Sequence, residues 1–142
     1  MDIRELHEKA MKLASLADLQ KIQGNKESAV SLYEESYFLE YEAAMNAYNG
    51  KVGEPSVSVL LRSAASLAVS CKKFREAEKL ISLALGGNPP SEIADELKNL
   101  LETIYSHRSK GFGKYWDERF YTAGYRKNKK DKVLAGIDEQ EE

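Results

Sequence analysis

The sequence predicts an all-α fold, because apolar residues recur at three- and four-residue spacing in five successive stretches. Turn-forming residues separate these stretches near positions 24, 50, 72 and 88. A hydrophobic fraction of 42% and a charged fraction of 31% are typical of a folded domain and exclude a disordered chain. No stretch approaches the roughly 20 apolar residues of a membrane span, so we expect no membrane partner.

The first two predicted helices cover residues 3–22 and 26–48. Gly24 separates them, since glycine commonly follows the last turn of a helix. The second helix is long and rich in tyrosine. The side chains that we expect to face the core from it are Ala29, Leu32, Tyr33, Tyr37, Leu39, Tyr41, Ala44 and Met45.

Three shorter helices complete the prediction. The third starts at Pro55. Proline has no backbone N–H, and its absence costs nothing in the first turn, where an N–H has no partner within the helix. The fourth covers residues 74–85 and is stopped by two glycines and two prolines at positions 86–90. The fifth opens with Ser91 as a helix cap, and we expect it to end near residue 107.

The fourth helix carries a specific pattern of side-chain sizes. Ala77, Ile81, Ala84 and Pro89 follow a small–large–small–proline spacing that resembles the second helix of a tetratricopeptide (TPR) repeat. An earlier segment resembles it at Ala29, Tyr33 and Ser36, but begins 48 residues before the other, against about 34 in the family. The matching residues of the first helices are Leu13, Leu16 and Ala17, then Leu61, Ala64 and Ala65.

This resemblance implies antiparallel helical hairpins stacked as a short right-handed superhelix over residues 1–107, with the fifth helix as a cap. It also implies a non-catalytic protein-interaction module, a scaffold or adaptor that binds a peptide or helix of a partner protein. In the family, first helices form the binding groove, and a solvated helix face is the alternative interpretation. The corresponding positions are Met11, Ala14, Asp18, Lys21, Val59, Arg62, Ser66, Val69 and Ser70.

Signatures of enzymes are scarce in the sequence. His7 and His107 are isolated, and the Glu-x-x-His motif of di-iron bundles is missing. The segment 111–114 lacks the spacing of a phosphate-binding loop. We therefore expect no catalytic residue, metal or cofactor. Cys71 is the one cysteine, so no internal disulfide forms, and a cytoplasmic location is the expectation.

The C-terminal segment has a different composition from the rest. Residues 108–132 form a basic aromatic extension with a net charge of +6, and residues 133–142 form an acidic tail with a net charge of −4. Interleaved aromatic and basic residues favour, as an alternative function, a nucleic-acid-binding accessory protein. The residues that this alternative uses are Trp116, Arg119, Arg126, Lys127, Lys129 and Lys130.

We give more weight to a packing role for the aromatic residues of this extension, because residues 1–107 carry a net charge of −4 and repel phosphate. The sequence predicts a joint at residues 109–111 and a helix over 112–125. We expect the aromatic stripe of this helix to pack on the helical repeats, within one chain or across a homodimer. Light scattering and thermal melting compare the full chain with a 1–107 truncation. Monomers of equal stability contradict this prediction.

Overall fold

The structure is a computed structural model, and it describes residues 1–115, the side chains of residues 1–108 among them. In this part of the chain every regular element is a helix, which confirms the predicted all-α class. The helices are α1 (Ile3–Ile22), α2 (Lys26–Asn49), α3 (Ser56–Ser70), α4 (Phe74–Leu85) and α5 (Ser91–Tyr115). The chain divides into two compact units, Met1–Ile104 and Tyr105–Glu142, and α5 contributes residues to both.

Local sequence signals fix both ends of α1. Asp2 Oδ1 accepts a hydrogen bond from the backbone N–H of Glu5 at 2.8 Å, and Glu5 Oε1 accepts one from the backbone N–H of Asp2 at 2.9 Å. This reciprocal pair satisfies backbone donors that have no partner within the helix. After α1, Gly24 has a φ of +89°, a conformation that side chains with a Cβ rarely adopt. The tight turn then leads directly into α2.

Side-chain contacts show that α1 and α2 are antiparallel. The hydroxyl of Tyr33 donates to Asp18, whereas the hydroxyl of Ser36, further along α2, donates to the carbonyl of Ala10, nearer the start of α1, at 2.6 Å. Both Ala10 and Ser36 are fully buried. Small side chains at this crossing let the two backbones approach closely.

The next helices pack in chain order, α2 on α3 and α3 on α4. Their shared core is rich in alanine, with larger side chains such as Leu61 and Leu80 between the small ones. The residues of the small–large–small spacing are all buried: Ala29, Tyr33, Ser36, Ala77, Ile81 and Ala84. Their burial agrees with close helix contacts at Ala77 and Ala84, while the repeat family itself stays a prediction.

One carboxylate connects two loops. Glu54, in the loop after α2, accepts hydrogen bonds at Oε2 from the hydroxyl of Ser58 at 2.9 Å and from the backbone N–H of Asn88 at 3.3 Å. Asn88 lies in the loop after α4. The loop between α2 and α3 and the loop after α4 are therefore joined through Glu54.

Two apolar residues lie outside the core. Tyr41, which we expected to face it, is 41% exposed, and Leu16, one of the residues that match the TPR pattern, is 50% exposed. Ala17 takes the buried position in α1, and Ser36 and Glu40 take interior positions in α2 that the apolar pattern had not assigned to the core. The buried face of α2 is thus rotated away from Tyr41.

The last helix is longer than the sequence predicts. We expected α5 to end near residue 107 and a joint at 109–111, but the helix continues through these residues to Tyr115. Extending a helix that has already formed adds one hydrogen bond per residue, and this gain offsets the weak helix propensity of glycine.

We predict that Ala77→Leu overpacks the α3–α4 contact, because Ala77 is fully buried. The free energy of unfolding should fall by about 1–3 kcal/mol, measured by urea unfolding. Ser82→Leu on the exposed side of α4 is the matched control and should change stability little. An Ala77→Leu variant as stable as the wild type contradicts close packing at this position.

Candidate partner-binding groove

The groove residues that the sequence predicts on α1 differ in their surroundings. Asp18 accepts a hydrogen bond from the hydroxyl of Tyr33 and so takes part in the α1–α2 contact. Met11 is partly buried against the core, while Lys21 is exposed. These side chains serve the hairpin or face solvent.

On α3 the structure brings together Arg62 and Ser66. They line a cleft of about 480 Å³ between α3 and α5, with Glu96, Asn99, Leu100 and Thr103 on the α5 side. Arg62 forms an ion pair with Glu96 across the cleft. The cleft is therefore polar, and one of its charges is already compensated.

The other predicted residues of α3 do not line this cleft in the described part of the chain. Val59 and Val69 are half-buried, and Val69 packs against the core. The hydroxyl of Ser70 donates to the backbone carbonyl of Ser66 at 3.2 Å, as serines near helix ends often do.

A second, more apolar groove lies between α2 and α4. It has a volume of about 370 Å³, and we call it the aromatic groove. The α2 side contributes aromatic and apolar side chains, and the α4 side contributes two leucines and two charged residues. The lining residues are Tyr37, Phe38, Tyr41 and Met45 from α2 with Glu76, Lys79, Leu80 and Leu83 from α4.

The aromatic residues of α2 are unusually exposed. Phe38 is 56% exposed and Tyr48, further along the same helix, is 42% exposed. Tyr37 is buried and contacts two exposed rings. Its ring centroid lies 5.3 Å from that of Phe38 and 5.8 Å from that of Tyr41. Burial first, and the nearby carboxylate of Glu76 second, raise the pKa of Tyr37 to about 12. The floor of the groove is thus uncharged at neutral pH.

An ion pair lies at one end of the aromatic groove. Lys73 Nζ is 3.1 Å from Glu34 Oε2 and 5.4 Å from the centroid of the Phe38 ring. A cation in this position is attracted by the face of the ring. The hydrogen bond to Glu34 raises the pKa of Lys73. Phe38 is therefore held in place although it is exposed.

The sequence contained a signal for this groove that the core prediction overlooked. Phe38, Tyr41, Met45 and Tyr48 follow one another at intervals of three, four and three residues. This second apolar stripe shares α2 with the buried stripe. A helix with two apolar faces has one face left to bind something else.

The most buried acidic side chain is Glu40, at the contact of α1, α2 and α3. His7 Nδ1 lies 3.0 and 2.9 Å from its two carboxylate oxygens, and the hydroxyl of Ser63 also hydrogen bonds to it. The expectation that His7 is isolated is therefore wrong. The carboxylate stands between the hydroxyl and the imidazole, whereas in a nucleophilic triad the imidazole stands between the other two.

Among residues 1–108, no group of three or more His, Cys, Asp and Glu is placed to hold a metal ion. No helix in the described part is long and apolar enough to cross a membrane. The predicted nucleic-acid contacts Trp116, Arg119, Arg126, Lys127, Lys129 and Lys130 lie outside the described residues.

Comparison with known proteins gives no relative for this chain. No protein-family model, no curated protein and no solved structure matches it. The resemblance to TPR repeats thus rests on the quoted residues alone.

Glu40 generates a prediction about pH. Burial, the largest influence, raises the pKa of this carboxyl above its ordinary value of 4.5, and the hydrogen bonds from Ser63 and His7 oppose the rise. A carboxyl group with a raised folded-state pKa contributes stability below the unfolded-state pKa and loses it as pH rises through the folded-state value. We therefore expect the wild type to lose stability relative to Glu40→Gln as pH rises above 4.5.

Urea unfolding of both proteins at a series of pH values measures this difference. The same pair in a His7→Gln background removes the imidazole and isolates Glu40. A difference that stays constant, or that grows in favour of the wild type as pH rises, contradicts the prediction.

Proposed function

We propose that this chain is a non-catalytic protein-interaction module, a TPR-like scaffold or adaptor that holds a peptide or helix of a partner protein. The observation that carries the proposal is the aromatic groove, whose α2 side exposes Phe38 and Tyr41, with Tyr48 exposed further along the same helix. Contiguous exposed apolar patches on soluble proteins commonly mark interaction sites. Aromatic side chains are also enriched among residues that contribute most to binding.

The groove is pre-organised for binding. Phe38 contacts the ring of Tyr37 and the ammonium group of Lys73, and both contacts restrict its side chain. The groove is built on helices and not on loops, so its side chains lose little conformational freedom when a partner binds. This property favours a permanent docking surface.

The cleft at Arg62 and Ser66 supports the proposal less strongly. Its lining is mostly polar, and Arg62 already has Glu96 as a partner. A peptide in this cleft has to compete with that ion pair for the guanidinium group. We therefore assign the main binding role to the aromatic groove and treat the cleft as a separate surface, tested by its own variant.

The alternative of a nucleic-acid-binding accessory protein depends on residues 116–130 and stays a prediction. Its signature is binding that weakens steeply with rising salt, because counterions are released from the phosphates. Variants at Lys129 and Lys130 should affect only this activity.

We predict that Phe38→Ser removes partner binding without unfolding the chain, because the side chain is exposed. The full-length protein is immobilised and native-cell extract is passed over it, and retained proteins are compared between variants. Ile22→Ser, which removes an apolar residue that is 82% exposed on α1, is the matched control. Arg62→Gln tests the polar cleft. Circular dichroism confirms that each variant is folded.

The expected result is a protein retained by the wild type and by Ile22→Ser but reduced about ten-fold or more with Phe38→Ser, the loss typical of a binding hot spot. Retention that responds only to Arg62→Gln assigns the function to the cleft between α3 and α5. Recovery of nucleic acid with a steep salt dependence overturns the proposal in favour of the alternative.

A further inference from the structure

We infer that the partner segment in the aromatic groove is an amphipathic α-helix whose apolar stripe is flanked by lysine or arginine. This inference rests on the proposed function and adds the chemistry of the occupant. It follows from three features of the groove: the spacing of its anchors, the form of its two walls and the charges around it.

The anchors on α2 have the spacing of a helix–helix seam. Phe38, Tyr41, Met45 and Tyr48 occupy alternate three- and four-residue steps, the positions by which one helix packs along another. Phe38 and Tyr48 are ten residues apart, about 15 Å along the helix, which matches roughly three turns of a partner helix. An extended peptide commonly binds by pairing with a free sheet edge, and the described residues form no strand.

The second wall of the groove runs beside the first. Leu80 and Leu83 of α4 face the same groove as the α2 seam. Lys73, just before α4, lies beside Phe38, and Asn88, just after α4, is joined to the loop that follows α2. The two walls thus run in the same direction along the groove. They offer a third helix two rows of side chains to pack between.

The exposed charges beside Phe38 on α2 are negative. Glu35 lies three residues before Phe38 and Glu42 four residues after it, so both carboxylates neighbour this ring on the surface of α2. Both are exposed, and neither forms an ion pair among residues 1–108.

The groove lining itself is balanced, since it holds one carboxylate, Glu76, and one ammonium group, Lys79. Lys73 beside it is compensated by Glu34. Glu35 and Glu42 therefore stay uncompensated by an ion pair within residues 1–108, and they favour a helix with basic flanks, mainly through faster association and rejection of acidic competitors.

The same charges disfavour a second copy of this chain as the occupant. A two-fold axis on the seam brings the same surface of both copies together. Glu42 lies one residue from Tyr41 near the middle of the seam, so it meets its own symmetry mate there. Like charges placed opposite each other destabilise such a contact.

Two synthetic helical peptides of about 18 residues test the inference, long enough to span the seam. Both carry leucine at the same helix–helix seam positions. One has lysine on the flanks, and its twin has glutamate. Fluorescence anisotropy measures the affinity of each labelled peptide for the full-length protein, at ionic strengths between about 50 and 200 mM.

We expect the lysine peptide to bind about ten-fold or more tighter than the glutamate peptide at the lower ionic strength. The double change Glu35→Gln with Glu42→Gln should remove most of this preference. Glu8→Gln on the exposed side of α1 is the matched control and should leave the preference unchanged. Phe38→Ser should lower the affinity for the lysine peptide, because it removes the most exposed anchor of the groove.

Equal affinities for the two peptides, or a preference that survives the double change, overturn the inference about charge. If Phe38→Ser still lowers the affinity for both peptides in that case, the groove remains a docking surface, but for a partner with other charges. If Phe38→Ser changes neither peptide binding nor partner retention, the proposed function itself fails.

Discussion

The structure depends on how α2 is packed, because this helix carries more apolar surface than its neighbours cover. Its contacts with α1 and α3 are made largely by small residues, including Ser36, Ala43, Ala44 and Ala47, so the backbones lie close together. Of its rings, Tyr33 and Tyr37 are buried beside these contacts, whereas Phe38, Tyr41 and Tyr48 lie on the outside, where they meet α4 or solvent.

Glu40 shows the same crowding from the polar side. A carboxylate in the interior is tolerated only when its oxygens are hydrogen bonded, and here groups from two other helices supply the bonds. The arrangement restricts how α1, α2 and α3 align, since shifting any one of them separates His7 or Ser63 from the carboxylate. Glu40 thus contributes to the specificity of the packing more than to its strength.

Periodicity alone predicted the fold class and the positions of α1 to α4 closely. The fourth helix illustrates why: its small and large residues alternate on one face, and Ala77, Ile81 and Ala84 are all buried as expected. The pattern on α2 was ambiguous, because two apolar faces share that helix. Periodicity indicates that a face is apolar but does not indicate whether the protein or a partner covers it.

The candidate site was less predictable from the sequence than the fold. Arg62 and Ser66 do share a cleft, but their neighbours come from α5 and not from α1. The hydrogen bond between His7 and Glu40 joins residues 33 positions apart, and no local sequence pattern predicts it. Such pairs depend on helix alignment, which is settled only when all the helices are assembled.

The hydrogen bond from Asn88 to Glu54 has a consequence for the width of the aromatic groove. This hydrogen bond connects the loop after α2 to the loop after α4. The ion pair of Lys73 with Glu34 connects the start of α4 to α2. One contact thus lies at the start of α4 and the other just beyond its end, and both restrain how far α4 can move from α2. Walls restrained in this way favour an occupant whose side chains fit the existing width of the groove.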